Sequence, residues 1–253
     1  MSEHPDWLVH EPFHDVDHGV IKSGKEAQVN LIERIADRAD DRERSCLVAR
    51  NRYLPRQVTQ KGQLEAMGVQ RASTFRHDVE YREGRQFRKS RDRRAIERMS
   101  TYGKKLLQVR WTGTEHEVMS RLWGQGVSVP YPISYADDVF DLEYVGSWER
   151  AAPQLNAARL NRAQLADAFD QLRVGVRAIT ATGIAHGDLS AYNLLWWEER
   201  LWFIDFPQSV DIAANLQGID FLHRDVANVC EWFERRGMRV DAEELFADVL
   251  SFM

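Results

Sequence analysis

Two short stretches carry the residues best suited to chemistry. In His186-Gly187-Asp188-Leu189-Ser190-Ala191-Tyr192-Asn193 a carboxylate is followed five residues later by an amide. Ile204-Asp205-Phe206-Pro207-Gln208 then brings a second carboxylate after a hairpin. Phosphoryl transfer requires one carboxylate to orient an acceptor hydroxyl, plus an amide and a carboxylate to hold magnesium. Magnesium takes oxygen ligands and keeps several waters, so Asn193 and Asp205 suffice as its protein ligands beside the phosphates of a nucleotide. Each aspartate alone reads as a turn or cap residue; the joint spacing after a helix selects the chemistry.

Such loops need a frame. Leu165, Phe169, Leu172, Val176 and Ile179 recur at helical spacing and predict a long amphipathic helix over about 161–181, directly before the first loop. Asn193–Trp197 and Leu201–Ile204 predict two strands joined by Glu198-Glu199-Arg200, with Trp196, Trp197 and Trp202 as packing residues. Upstream, Val20-Ile21 and Ala27–Ile32 flank a polar turn, and Cys46–Ala49 and Val139–Gly146 read as further strands. A helix is expected from near Trp111, with Val118, Leu122 and Trp123 at helical spacing, and the chain from Gly218 on reads as helical. A strand-rich first part and a helix-rich second part, joined at Gly146, describe a bilobal α+β fold with a cleft between the lobes.

The chain has 253 residues, 43% hydrophobic and 29% charged, enough for one large domain or two lobes with a sizeable core and unlike a disordered or fibrous protein. No stretch approaches the roughly 18 apolar residues of a membrane span, and the first residues resemble no secretion signal. Cys46 and Cys230 stand far apart, so neither a disulfide framework nor a metal knuckle is indicated and a reducing cytoplasm is expected. Charge is uneven: the net value is -5, yet residues 52–110 hold 16 basic and 6 acidic residues. That stretch is a candidate surface for RNA, a ribonucleoprotein or an acidic partner, or a solvated insertion that balances an acidic body. His10, His14 and His18 recur every four residues, but Pro12 and Gly19 argue against the helix a metal site would need, so a polar N-terminal arm is expected.

The two loops resemble those of the RIO kinases, atypical serine/threonine protein kinases, and the resemblance runs from about Gly19 to Gly237. Ser23-Gly24-Lys25-Glu26-Ala27 is similar to the family's phosphate loop, and Phe221–Val229 to its C-terminal signature. The basic stretch most resembles the flexible loop of bacterial members. The resemblance implies a kinase-like fold: an arm over 1–18, an N-lobe over 19–145 with a flexible insertion at about 54–110, and a helical C-lobe over 146–253. It implies ATP and Mg2+, or Mn2+ in its place, with a protein as acceptor. Asp188 would be the catalytic base, while Asn193 and Asp205 would ligate the metal. Ser23, Gly24, Lys25 and Glu26 would contact phosphates, Glu115 would pair with a strand lysine, and the backbone of Glu143 and Val145 would bind adenine. Autophosphorylation, ATP hydrolysis and an aspartyl-phosphate at Asp205 are further expectations.

One residue departs from that pattern. Ala49-Arg50-Asn51-Arg52-Tyr53 sets Asn51 where the family carries its phosphate-pairing lysine. An amide brings no charge to phosphates, and Arg50, Arg52 and Lys25 are the nearby replacements. A working enzyme is the favoured expectation because Asp188, Asn193 and Asp205 are all present. The alternatives are an ATP-gated RNA-binding switch with weak catalysis and, on the shared His-Gly-Asp-Leu loop, a small-molecule phosphotransferase of the aminoglycoside type.

Overall fold

The computed structural model describes residues 4–10, 12–24, 27–37, 44–53 and 101–253, with side chains from residue 113 onward in the last segment. Lys25, Glu26 and residues 54–100 of the basic insertion lie outside the described residues. A five-stranded antiparallel sheet forms the first lobe: β1 (Phe13–Ser23), β2 (Ala27–Ala36), β3 (Ser45–Tyr53), β4 (Pro132–Ala136) and β5 (Val139–Glu143), in the order β1-β2-β3-β5-β4. Helix α1 (Thr101–Gly124) follows β3 in the chain. The second lobe contains α2 (Arg162–Ala181), β6 (Ile184–Ala185), β7 (Leu194–Trp197), β8 (Arg200–Phe203), β9 (Val210–Asp211), α3 (Gly218–Glu234) and α4 (Ala242–Leu250). The α+β, two-lobed architecture expected from the sequence is the one observed.

Some boundaries differ from expectation. β1 begins at Phe13, inside the segment expected as an arm, so His14 and His18 are strand residues. His14 pairs with Asp37 at 2.6 Å and His18 with Glu33 at 3.1 Å, and the described residues contain no cluster of three or more metal-binding side chains. Helix α1 starts at Thr101, ten residues before Trp111 and within the expected insertion. Among its described side chains Glu115, Met119 and Leu122 are buried, while Trp123 is partly exposed. β4 had no clear signature in the sequence.

The sheet has two distinct faces. On the back, Ile32, Ala36, Cys46 and Val48 pack with Leu8, Val9 and Tyr131, so the N-terminal arm covers one end of the sheet. Beside this cluster two arginines and two aspartates interlock. Arg50 donates twice to Asp141 at 2.8 Å and once to Asp15 at 2.7 Å, while Arg34 bonds Asp15 at 3.0 Å and Asp141 at 3.4 Å. The Asp141 bonds, opposing the cost of burial, raise the pKa of Arg50. Burial works to raise the Asp15 carboxyl, but the two guanidinium groups hold it below its ordinary value. On the other face Phe140 joins the main core with Met119 and Leu122, and Tyr53 and Leu142 pack against it.

In the second lobe α2 is capped reciprocally: Asn161 accepts from the Gln164 amide, and Gln164 returns a bond to the Asn161 amide. Its stripe of Leu165, Leu172, Val176 and Ile179 is buried as the periodicity predicts. Gly175 meets the Phe203 ring so closely that a Cβ would stand 2.2 Å from it, which seats α2 directly on β8.

The back-face quartet yields a stability prediction. Removing one member strands guanidinium charge where Arg34 and Asp141 are almost fully buried. Asp141→Ala is expected to cost about 3 kcal/mol of unfolding free energy in urea titration. Asp170→Ala, an exposed residue of α2 with only a surface pair to Arg173, is the control and should cost well under about 1 kcal/mol.

Candidate active site

The two chemical loops are held side by side by short strands. The first, residues 186–193, runs from β6 to β7, and the second, residues 204–209, from β8 to β9. β6 pairs with β9 and β7 with β8, so the loops leave and re-enter the same frame. Three contacts fasten them. The Ile204 amide donates to the Asn193 carbonyl at 3.0 Å, His186 Nε2 donates to the Ile204 carbonyl at 3.1 Å, and the His186 and Phe206 rings lie 4.5 Å apart. Burial drives the His186 pKa down to about 4, so the ring is neutral and serves as a structural donor.

Gly187 is required by this packing. It has φ +83, and a Cβ there would stand 2.1 Å from the Gln208 carbonyl oxygen of the second loop. Helix α3 anchors the first loop from below: buried Asp225 accepts the Gly187 amide at 2.7 Å and the Leu189 amide at 2.9 Å, and Arg224 donates to the Gly187 carbonyl at 2.6 Å. Burial, only partly offset by these amide bonds, raises the Asp225 pKa to about 6.

With this scaffold buried, the carboxylates of Asp188 and Asp205 reach the surface. Asn193 turns its amide nitrogen onto the Asp188 carbonyl at 2.8 Å and contacts the Asp188 carboxylate at 3.4 Å. Asp205 adopts φ +70, a left-handed conformation unusual outside glycine, which gives the second loop a sharp turn. Pro207 follows Phe206, and the Ser209 amide closes onto the Phe206 carbonyl at 3.0 Å. The loops thus gather Asp188, Asn193 and Asp205, the residues that the spacing selected.

The link to the first lobe is Glu115 on α1. It is 2% exposed; one oxygen accepts the Tyr53 hydroxyl and the other accepts the Phe206 amide at 3.1 Å. Burial, with repulsion from Asp205 second, raises its pKa to about 8. Glu115 thus ties the sheet to the second loop, and Asn51 stands where its expected lysine partner would be. Tyr53 stands in the family's strand pattern but received no role from the sequence, and Asp225 likewise sits unassigned in the C-terminal signature. Aspartate within a helical stretch of otherwise apolar buried positions was the available signal for Asp225.

The remaining expected residues surround the cleft. Ser23 and Gly24 enter the β1–β2 turn, where the Gly24 amide donates to the Ala27 carbonyl at 2.8 Å. The Glu143 amide donates to the Tyr131 carbonyl at 2.8 Å, and its side chain accepts the Tyr131 amide at 3.0 Å. The Val145 carbonyl accepts from Ala152 at 2.9 Å. Beyond it, Gly146 turns the chain at φ +150. Asn51 lies between Val29 and Phe140 in the sheet, on the face that carries Tyr53.

Comparison with known proteins agrees with this geometry. The RIO domain family model matches residues 59–245, which includes both loops, Glu115 and α3 but not Ser23 or Asn51. The chain is 30% identical over 135 residues to the RIO-type serine/threonine-protein kinase Rio1 of Thermoplasma acidophilum, covering 53% of this chain and 69% of that one. It is 32% identical over 177 residues to Rio1 of Haloferax volcanii, covering 69% and 56%. Serine/threonine-protein kinase RIO3 of Mus musculus matches at 29% over 139 residues, 54% of this chain and 27% of the relative. The chain thus spans about two thirds, half and a quarter of these relatives. A family match across most of the chain, over paired loops braced by Glu115 and Asp225, establishes that this protein belongs to the RIO kinase family.

Proposed function

We propose that the chain is an ATP- and magnesium-dependent RIO-type serine/threonine protein kinase that transfers the γ-phosphate to a protein hydroxyl. The observation that supports this best is the bond from the Ile204 amide to the Asn193 carbonyl, which ties the loop of Asp188 and Asn193 to the loop of Asp205. Asp188 orients the acceptor hydroxyl and takes its proton, and Asn193 and Asp205 hold the metal. Their oxygen donors fit magnesium, which takes its other ligands from phosphates and water. When bound, the metal neutralises charge developing on the transferred phosphoryl group. Ser23, Gly24, Lys25 and Glu26 cover the phosphates, and the Glu143 carbonyl and the Val145 backbone meet the adenine edge.

The relatives' names favour a protein acceptor over a small molecule. RNA or a ribonucleoprotein remains a second reading, resting on the charge of residues 52–110 alone. We place the protein in the cytoplasm because Cys46 and Cys230 are both free and buried. No described helix is long and apolar enough to cross a membrane.

Turnover of [γ-32P]ATP with magnesium tests the assignment. Asp188→Ala and Asp205→Ala are each expected to lower label transfer by roughly 10²–10⁴-fold. Label on serine or threonine supports the kinase; label released by hydroxylamine would instead indicate an acyl phosphate at Asp205, and free phosphate alone an ATPase. Unchanged transfer in both variants would sink the site.

Glu115 gives a pH test. Its folded pKa of about 8 exceeds the ordinary 4.5, so the neutral carboxyl favours the fold below pH 4.5 and that contribution is lost as pH rises toward 8. Chemical denaturation of the nucleotide-free protein should show stability falling across this window relative to Glu115→Gln. Magnesium nucleotide beside Asp205 should flatten the difference, because nearby positive charge favours the ionised form. Parallel pH profiles for the two proteins would contradict a buried neutral Glu115.

A further inference from the structure

The sheet shows why the arginines beside Asn51 cannot replace the missing lysine. Residues 46, 48, 50 and 52 of β3 point to the back, where Arg50 is committed to Asp15 and Asp141. Arg52 pairs across from Gln28 in the same row and is exposed on that side. Asn51 and Tyr53 point to the cleft, and Tyr53 already occupies Glu115. β3 therefore brings no cation to the cleft.

A lysine does stand in the same cross-strand row. Asn51 pairs with Val29 of β2, and Val29 pairs with Lys22 of β1. The register of β1 against β2 slips twice, between Asp17 and Val20 and again between Val20 and Lys22. Val20 pairs with Asn30 and so faces the back; the second slip, at Ile21, turns Lys22 onto the cleft face. Its row lies two residues from that of Ala27 and Tyr53, the end of the sheet joined through Glu115 to the metal loop. Lys22 is exposed and forms no ion pair among the described residues. It is one of only six lysines in the chain.

We propose that Lys22 is a nucleotide-binding residue that supplies the phosphate-directed charge absent at Asn51. The inference rests on the kinase reading above. Two strand spacings, about 10 Å, separate β1 from β3, and the lysine stem can lie along Val29 with its ammonium over the space beneath the row. An ammonium acts on phosphate as a point charge and needs no planar alignment, so it can approach from a neighbouring strand.

Calorimetric titration of the full chain with Mg-ATP and, separately, adenosine tests this. Lys22→Met is expected to weaken Mg-ATP binding by about 10- to 100-fold, the range of a charge-assisted contact, and to leave adenosine binding unchanged. Asn51→Lys added to Lys22→Met should recover most of the loss, whereas Asn51→Gln should not. Unaltered Mg-ATP affinity in Lys22→Met overturns the proposal, as does equal weakening of adenosine. A loss of Mg-ATP affinity in Lys25→Met that Lys22→Met does not share would assign the charge to the turn and overturn it likewise. Failure of the unsubstituted protein to bind either ligand would remove the kinase reading itself, and this inference with it.

Discussion

A carboxyl group buried between two lobes constrains the rest of the structure. Glu115 accepts a hydroxyl from the sheet and an amide from the second loop, with Asp205 close enough to repel its charge. Burying an isolated carboxylate is costly, so the arrangement is stable only with both donors in place or with the group neutral. The placement of Tyr53, α1 and Phe206 is therefore one condition, and the cleft has one geometry in which all three are satisfied. Asp225 does the equivalent work beneath the first loop, where its two amide bonds partly offset its own burial.

The parts legible in the sequence are those whose determinants are local. The cap at Asn161 and Gln164, the buried stripe of α2 and the β7–β8 hairpin all lie within a few residues of the signals that specify them. The two loops were legible for a related reason: the spacing of Asp188, Asn193 and Asp205 reflects how far the hairpin carries the chain between them.

The parts that escaped reading depend on partners distant in sequence. The first half of β1 alternates charge and apolar residues because Asp15 meets Arg34 and Arg50 across two neighbouring strands, and no window of the sequence contains that network. β4 is a five-residue edge strand opening on a proline, which reads as a turn until β5 is beside it. The partners of Glu115, Tyr53 and the Phe206 amide, lie 62 and 91 residues from it in sequence.

The proline after Phe206 has a consequence for regulation. Pro207 has a ring-fixed φ and no amide proton, Gly187 abuts Gln208, and the Phe206 amide is already taken by Glu115. Loops that toggle between on and off states need a residue free to rotate through a wide range of backbone angles, and this one has none at that point. The second loop is thus braced at that point. A rearrangement of this loop would have to break the Glu115 contact, so it is coupled to the position of α1 and of the sheet.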